Sequence, residues 1–167
     1  LQISSVTKRG LADHFKYEFM TQVQAETLPP ILDGKDCLAK AKTGTGKTLA
    51  FMIPAIERIR TMRYSDNGKI KCLVLSPTRE LAGQITTETD GLLKYDNSLK
   101  VTTVVGGTNI NKDLKALRGT VDFLVATPGR LLDHLQNYEL APKMSDLDFL
   151  IFDEADQLLD MGFRPDI

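Results

Sequence analysis

The sequence predicts an α/β domain, a doubly wound, mainly parallel sheet with helices on both faces. Short apolar runs recur along the chain, the stretches between them are long enough for crossover helices, and the runs are continuous instead of alternating. Continuous apolar runs mark strands covered on both faces, and parallel strands need a crossover of a dozen or more residues. In order, the predicted strands are "DCLAKA" (36–41), "KCLVLS" (71–76), "KVTTVV" (100–105), "DFLVAT" (122–127) and "DFLIFD" (148–153), each rich in Val, Leu, Ile or Phe and bounded by turn formers or charges. An amphipathic helix is expected over 21–32, and crossover helices over 47–63, 78–95, 108–118 and 127–138. "YSDNGK" (64–69) reads as a polar turn and "NYELAPKMSD" (137–146) as a loop.

At 167 residues, 42% of them apolar, the chain suits one globular unit over 1–167 with no internal boundary. With 21 basic against 22 acidic residues the net charge is −1, so any contact with a polyanion must be local. Cys37 and Cys72 each lie in a predicted strand, outside any metal-ligand spacing, and read as small core residues of an intracellular protein. No apolar run reaches the roughly 18 residues of a membrane span. Nothing indicates an oligomer. The N-terminus carries no secretory h-region, and the short segment after the last predicted strand suggests a chain cut before its fold is complete.

The stretch "AKTGTGKT" (41–48) sits between a predicted strand and a predicted helix, the setting a phosphate loop requires. Gly44 and Gly46 can adopt angles that aim consecutive N–H groups at an anion, assisted by the helix N-terminus. Lys47 would reach the β- and γ-phosphates, and the Thr48 hydroxyl would ligate Mg²⁺. Ala41 stands where the general pattern has glycine; the plainer reading is a glycine-rich turn with a surface lysine. In "DFLIFDEADQLL" the strand end offers Asp153 as a second Mg²⁺ ligand and Glu154 as general base for an attacking water. Two such carboxylates are also suited to capping a helix N-terminus.

The ordered set "AKTGTGKT", "PTRELA" (77–82), "GG" (106–107), "TPGR" (127–130) and "DEAD" (153–156) resembles the first RecA-like lobe of a DEAD-box RNA helicase, with the likeness running from about residue 16 to the end. Ala41 is usual in that family. The resemblance implies a RecA-like phosphate-loop fold, ATP and Mg²⁺ as cofactors, and Ala41, Lys42, Thr43, Gly44, Thr45, Gly46, Lys47 and Thr48 as the triphosphate cradle. "KYEFMTQVQ" (16–24) is similar to the family's Q motif, with Lys16 where glycine is usual and Met20 and Gln22 at positions often proline. By that likeness Gln24 bonds the adenine edge and Tyr17 stacks on its ring. A glutamine amide can serve N7 and N6 of adenine together, which guanine cannot copy. Otherwise Gln24 is simply a polar residue on the helix over 21–32.

The same resemblance makes Thr78, Arg79, Gly107, Thr127, Gly129 and Arg130 contacts to the sugar-phosphate backbone of single-stranded RNA or an RNA duplex. All follow predicted strands and so share one rim of the sheet. Either arginine has an alternative in an internal salt bridge. Asp156 would couple the metal site to a Ser-Ala-Thr motif beyond this chain, and a second RecA-like lobe of the same chain would supply an arginine finger. The isolated lobe is therefore expected to be inactive or very weak. An ATP-dependent RNA clamp with little unwinding shares the same motifs. A transporter-type ATPase would need its own signature loop where "PTRELA" and "TPGR" stand. His14 and His134 read as ordinary surface residues. Cytoplasm, nucleus, nucleolus and mitochondrion are not distinguishable.

Overall fold

Four of the predicted apolar runs form strands in the computed structural model, which describes residues 2–42, 44–62 and 68–163. They are β1 (Cys72–Leu75), β2 (Val101–Val104), β3 (Phe123–Ala126) and β4 (Phe149–Phe152), hydrogen-bonded in the order β2-β3-β1-β4. Every pairing is parallel, with Leu75 opposite both Ala126 and Phe152, and Val104 opposite Ala126. Each strand therefore ends at the same edge of the sheet, which gathers the segments that follow them along one rim.

These strands belong to one of two compact units, Asp66–Thr86 with Leu99–Ile167; the other comprises Leu1–Ser65 with Thr87–Ser98. In the sheet unit, β1 and β3 are buried along their whole length. Side chains alternate between faces, so Leu73, Leu75, Leu124 and Ala126 share one core cluster with Val104, Leu117, Leu131 and Leu158. Cys72, Val74, Phe123 and Val125 are buried on the opposite face. Burial, with the Asp148 charge nearby, pushes the Cys72 thiol far above its usual range, as suits an inert core residue.

Three expectations fail. The run 36–41 is not a strand: it pairs with none of the described residues and is exposed through Lys40, Leu38 to 97%. Asp36, Lys40 and two alanines leave it little apolar area with which to hold itself in place. Cys37, placed in the core by that reading, is exposed. β4, expected to be covered on both faces, leaves Leu150 52% and Phe152 39% exposed on one face, and among the described residues it pairs only with β1.

The helices come close to their predicted positions. After α1 (Ser5–Gly10) and a π-helical turn (Leu11–Phe15) follow α2 (Gln22–Leu32), α3 (Lys47–Met62), α4 (Arg79–Leu92), α5 (Ile110–Arg118), α6 (Pro128–Asn137), a 3-10 turn (Ala141–Met144) and α7 (Ala155–Asp160). No described helix is long and apolar enough to cross a membrane. In the helical unit α2 packs on α3, and a polar network ties α1 to α3. The Glu57 carboxylate accepts from the Ser4 amide at 2.7 Å, the Ser4 hydroxyl at 2.9 Å and the Thr7 hydroxyl at 2.5 Å. Arg60 links Glu57 (2.6 Å) to Asp96 (2.9 Å).

Burial alone would raise the Glu57 carboxyl, but the bonds from Thr7 and Ser4 and the Arg60 charge outweigh it and hold the group below the usual carboxylate range. Asp96 is lowered in the same manner, burial being overcome by Ser98 and Arg60. A carboxyl whose pKa is lower folded than unfolded stabilises fully above the unfolded value of about 4, and that stability is lost as the pH falls through the folded value. Denaturant unfolding should therefore show stability declining below pH about 4. Glu57→Gln should be about 1–3 kcal/mol less stable at pH 7 and lose less on acidification. Equal acid sensitivity in variant and wild type would contradict this account of the network.

Candidate functional site

The glycine-rich segment opens α3, which begins at Lys47, so the first-turn N–H groups that have no helical partner face the loop. Gly44 and Gly46 have φ of +76° and +84°, left-handed values that side chains resist. Thr45 Oγ1 donates to the Lys42 carbonyl at 2.7 Å, bracing the turn. Ala41, Thr45, Gly46, Lys47 and Thr48 are half-buried, and Lys42 and Gly44 exposed, while Thr43 lies outside the described residues. The loop thus has the glycine angles and following helix of a phosphate cradle, preceded by an exposed segment and not by the predicted strand.

Gln24 meets this loop directly. Thr21 caps α2 in a capping box: its hydroxyl accepts from the Gln24 amide at 3.4 Å, and Gln24 Oε1 accepts from the Thr21 amide at 3.0 Å. Gln24 Nε2 then donates to the Gly46 carbonyl at 3.1 Å. That carbonyl also accepts from the Ala50 amide at 3.2 Å, which occupies both its lone pairs. A Cβ at position 46 would stand 2.5 Å from Gln24 Nε2, so the contact requires glycine twice over, for its angle and for its size. Gln24 lies on the predicted helix, as the alternative has it, but is only 6% exposed and is bonded to the loop.

Tyr17 is exposed and stacks on Phe15, ring centroids 5.6 Å apart at 19°. Lys16, at the position where the Q motif has glycine, takes φ +57°. The turn therefore demands a glycine-like angle that the lysine adopts at a cost of about 1–2 kcal/mol.

On the sheet rim, Asp153 directly follows β4 and its amide donates to the Leu75 carbonyl at 2.9 Å, which fixes it to the last rung of the ladder. Glu154 sits at φ +50°, ψ +52°, the left-handed turn that redirects the chain from β4 into α7. A non-glycine residue held there stores strain, a feature concentrated at functional sites. Asp156, exposed in the first turn of α7, accepts from the Gln157 amide at 2.9 Å. Among the described residues no group of three or more His, Cys, Asp or Glu could hold a metal. Thr48 and Asp153, the two Mg²⁺ ligands expected from the sequence, belong to different compact units. Few, hard oxygen ligands suit Mg²⁺, which keeps several waters and substrate oxygens in its shell.

The remaining predicted residues separate by exposure. Arg79 is exposed, makes no ion pair among the described residues, and donates to the Gly106 carbonyl at 3.4 Å. Arg130 is turned inward, its side chain 12% exposed, with Nε 2.9 Å from Asp113 Oδ2. The internal salt bridge weighed for both arginines is thus present for Arg130 alone. Thr78 caps α4, its hydroxyl accepting from the Leu81 amide at 3.2 Å. Thr127 Oγ1 accepts from the Gly106 amide at 3.3 Å. Gly107 takes φ +77° beneath Arg79, and a Cβ on Gly129 would meet open space. His134, read as a surface residue, is fully buried with Nε2 3.2 Å from Asp113 Oδ2, whereas His14 is exposed as expected. The sequence reading missed both Asp113 and the role of His134.

A family model described as DEAD/DEAH box helicase matches residues 21–167. The chain is 53% identical over 153 residues to DEAD-box ATP-dependent RNA helicase 26 of Oryza sativa subsp. japonica, an alignment covering 90% of this chain and 28% of that protein. It is 41% identical over 167 residues to ATP-dependent DNA helicase DDX31 of Dictyostelium discoideum, covering 100% of this chain and 18% of the relative. Among solved structures it resembles the DEAD-box helicase Mss116 bound to ssRNA and UDP-BeF, with a TM-score of 0.89 and 32% identity over 98% of this chain and 33% of that one. The chain spans less than a third of the length of these curated relatives.

The contact between Gly46 and Gln24 gives a direct test. Gly46→Ala should destabilise the protein by about 1–3 kcal/mol in denaturant unfolding. Gly129→Ala, with open space around it, should stay within about 0.5 kcal/mol of wild type. Equal stability for Gly46→Ala and wild type would show that this packing is not as described.

Proposed function

The chain belongs to the DEAD/DEAH box helicase family, and on that premise we propose that it is the ATP-binding lobe of an ATP-dependent RNA helicase, coupling ATP binding and hydrolysis to RNA binding and local duplex unwinding. The observation that carries the reading is the bond from buried Gln24 to the Gly46 carbonyl, which ties a base-recognising amide to the phosphate loop. The two bonds described for Gln24 use one amide proton and one lone pair, leaving the other proton and pair for N7 and N6 of adenine. Tyr17 offers its ring to the base. The N–H groups from Lys42 to Thr48 hold the phosphates, and Lys47 neutralises the β- and γ-oxygens.

Thr48 and Asp153 would hold Mg²⁺, whose contribution is to neutralise charge developing on the phosphate oxygens. Glu154 accepts the proton of the attacking water. Its left-handed backbone aims it independently of Asp153, so the two neighbouring carboxylates serve different ends. Asp156 passes the state of the nucleotide toward a second RecA-like lobe of the same chain, which supplies the arginine finger. Arg79, Thr78, Gly107, Thr127 and Gly129 meet the RNA backbone along the rim, with Arg130 acting from behind it. Contacts of this kind hold a strand without reading its sequence, consistent with a chain whose net charge is −1 and whose basic groups must act locally.

The full-length protein should hydrolyse ATP faster with single-stranded RNA than with DNA of the same sequence. Lys47→Ala should lose nucleotide binding. Glu154→Gln should keep it and lose roughly 10²–10⁴-fold in turnover. The isolated lobe should be inactive or very weak for want of the second lobe's arginine. Equal stimulation by DNA, or turnover in Glu154→Gln equal to wild type, would overturn the reading. Slow RNA release accompanied by little duplex separation would convert it to a clamp that locks onto RNA with little unwinding.

A further inference from the structure

Within the sheet unit, Asp113 from α5 and His134 from α6 are both buried and face each other across 3.2 Å. His134 Nδ1 is buried without a hydrogen-bond partner among the described residues. The tautomer that fits places the proton on Nε2, donating to the carboxylate, and leaves only a lone pair on Nδ1. Asp113 Oδ2 also lies 2.9 Å from Arg130 Nε, whose N–H is not aimed along that line, so charge more than a directed hydrogen bond draws the guanidinium in. On its far side the guanidinium donates through Nη2 to the Thr108 carbonyl, and to Thr108 Oγ1 at 3.0 Å. Nη1 stands 3.9 Å from Asp133.

Arg130 therefore spans from a buried acid to the backbone of the turn after β2. The same turn is also held by Arg79 on the Gly106 carbonyl and by Thr127 on the Gly106 amide. We propose that Asp113, oriented by His134, is a positioning residue that sets Arg130 against Thr108 and so shapes the Gly106–Thr108 turn for an RNA backbone, leaving Arg79 as the arginine that touches phosphate. This rests on the RNA-binding reading above. It assigns unequal work to two arginines with matching places in the sequence pattern: one is exposed with no acid paired to it among the described residues, the other is committed to an internal carboxylate and a carbonyl. A planar guanidinium can serve both at once; an ammonium cannot reproduce that fork.

The test uses the full-length protein and compares wild type, Asp113→Asn, Arg130→Lys and the double variant. Hydrogen exchange at the Gly106 amide in the RNA-free protein should quicken in each variant. Affinity for a single-stranded oligoribonucleotide with ATP present should fall about tenfold. The ATP concentration for half-maximal hydrolysis should stay put, and the double variant should lose little beyond either single one. Should Asp113→Asn not fold, Arg130→Lys alone decides. Folded variants that bind RNA as wild type does, or that keep Gly106 protected, overturn the positioning inference while the function stands. Wild type that binds no RNA overturns the function itself.

Discussion

A single side-chain amide joins the start of α2 to the glycine-rich loop, and under the proposed function it joins adenine recognition to phosphate binding. Gln24 is the third residue of α2, and the capping box with Thr21 fixes its χ angles before any ligand arrives. The remaining arm of the amide holds the Gly46 carbonyl, the one that also starts the α3 hydrogen-bond ladder. The shape of the phosphate loop thus depends on a residue 22 positions upstream. The left-handed angle of Gly46 and its missing Cβ are both consequences. Burying an amide is costly unless it is bonded, and here each bond also positions a loop, so stability and preorganisation come from the same contacts.

The rim of the sheet follows a comparable logic with charge. Parallel, in-register strands bring the segments after β1, β2, β3 and β4 to one edge. Among these segments the chain buries one arginine, Arg130, against Asp113, and leaves Arg79 outside. Buried charge is tolerated only when paired, and breaking such a pair strands the partner. The strained angle at Glu154 has a different origin: the last ladder bond holds Asp153 in place, and the chain must turn at once to begin α7.

Much of this was legible in the sequence because the signals were local. Continuous apolar runs gave β1, β2 and β3, and the motif order gave the rim. The run at 36–41 misled because its apolar letters are short alanines and one leucine, and a strand exists only where a ladder partner holds it. β4 is legible in the sequence but its exposed face is not, since what packs over a strand face is set by tertiary structure. His134 is buried where its helical context in the sequence reads as surface. Its helix spacing with Leu131 and Tyr138, and that of Asp113 with Ile110 and Leu117, places both on apolar faces. Two opposite-tending polar residues on such faces are the signature of a buried pair. The link from Gln24 to Gly46 had no local signal beyond the capping-box spacing, because it closes across 22 residues.

The most direct test of a base-reading amide that also holds the phosphate loop is the affinity of the full-length protein for ATP and for GTP, in wild type and in Gln24→Ala. The wild type should prefer ATP. The variant should bind both nucleotides more weakly and no longer distinguish them, since selection and loop geometry fail together. A Gln24→Ala protein that keeps both its ATP affinity and its preference over GTP would contradict the account.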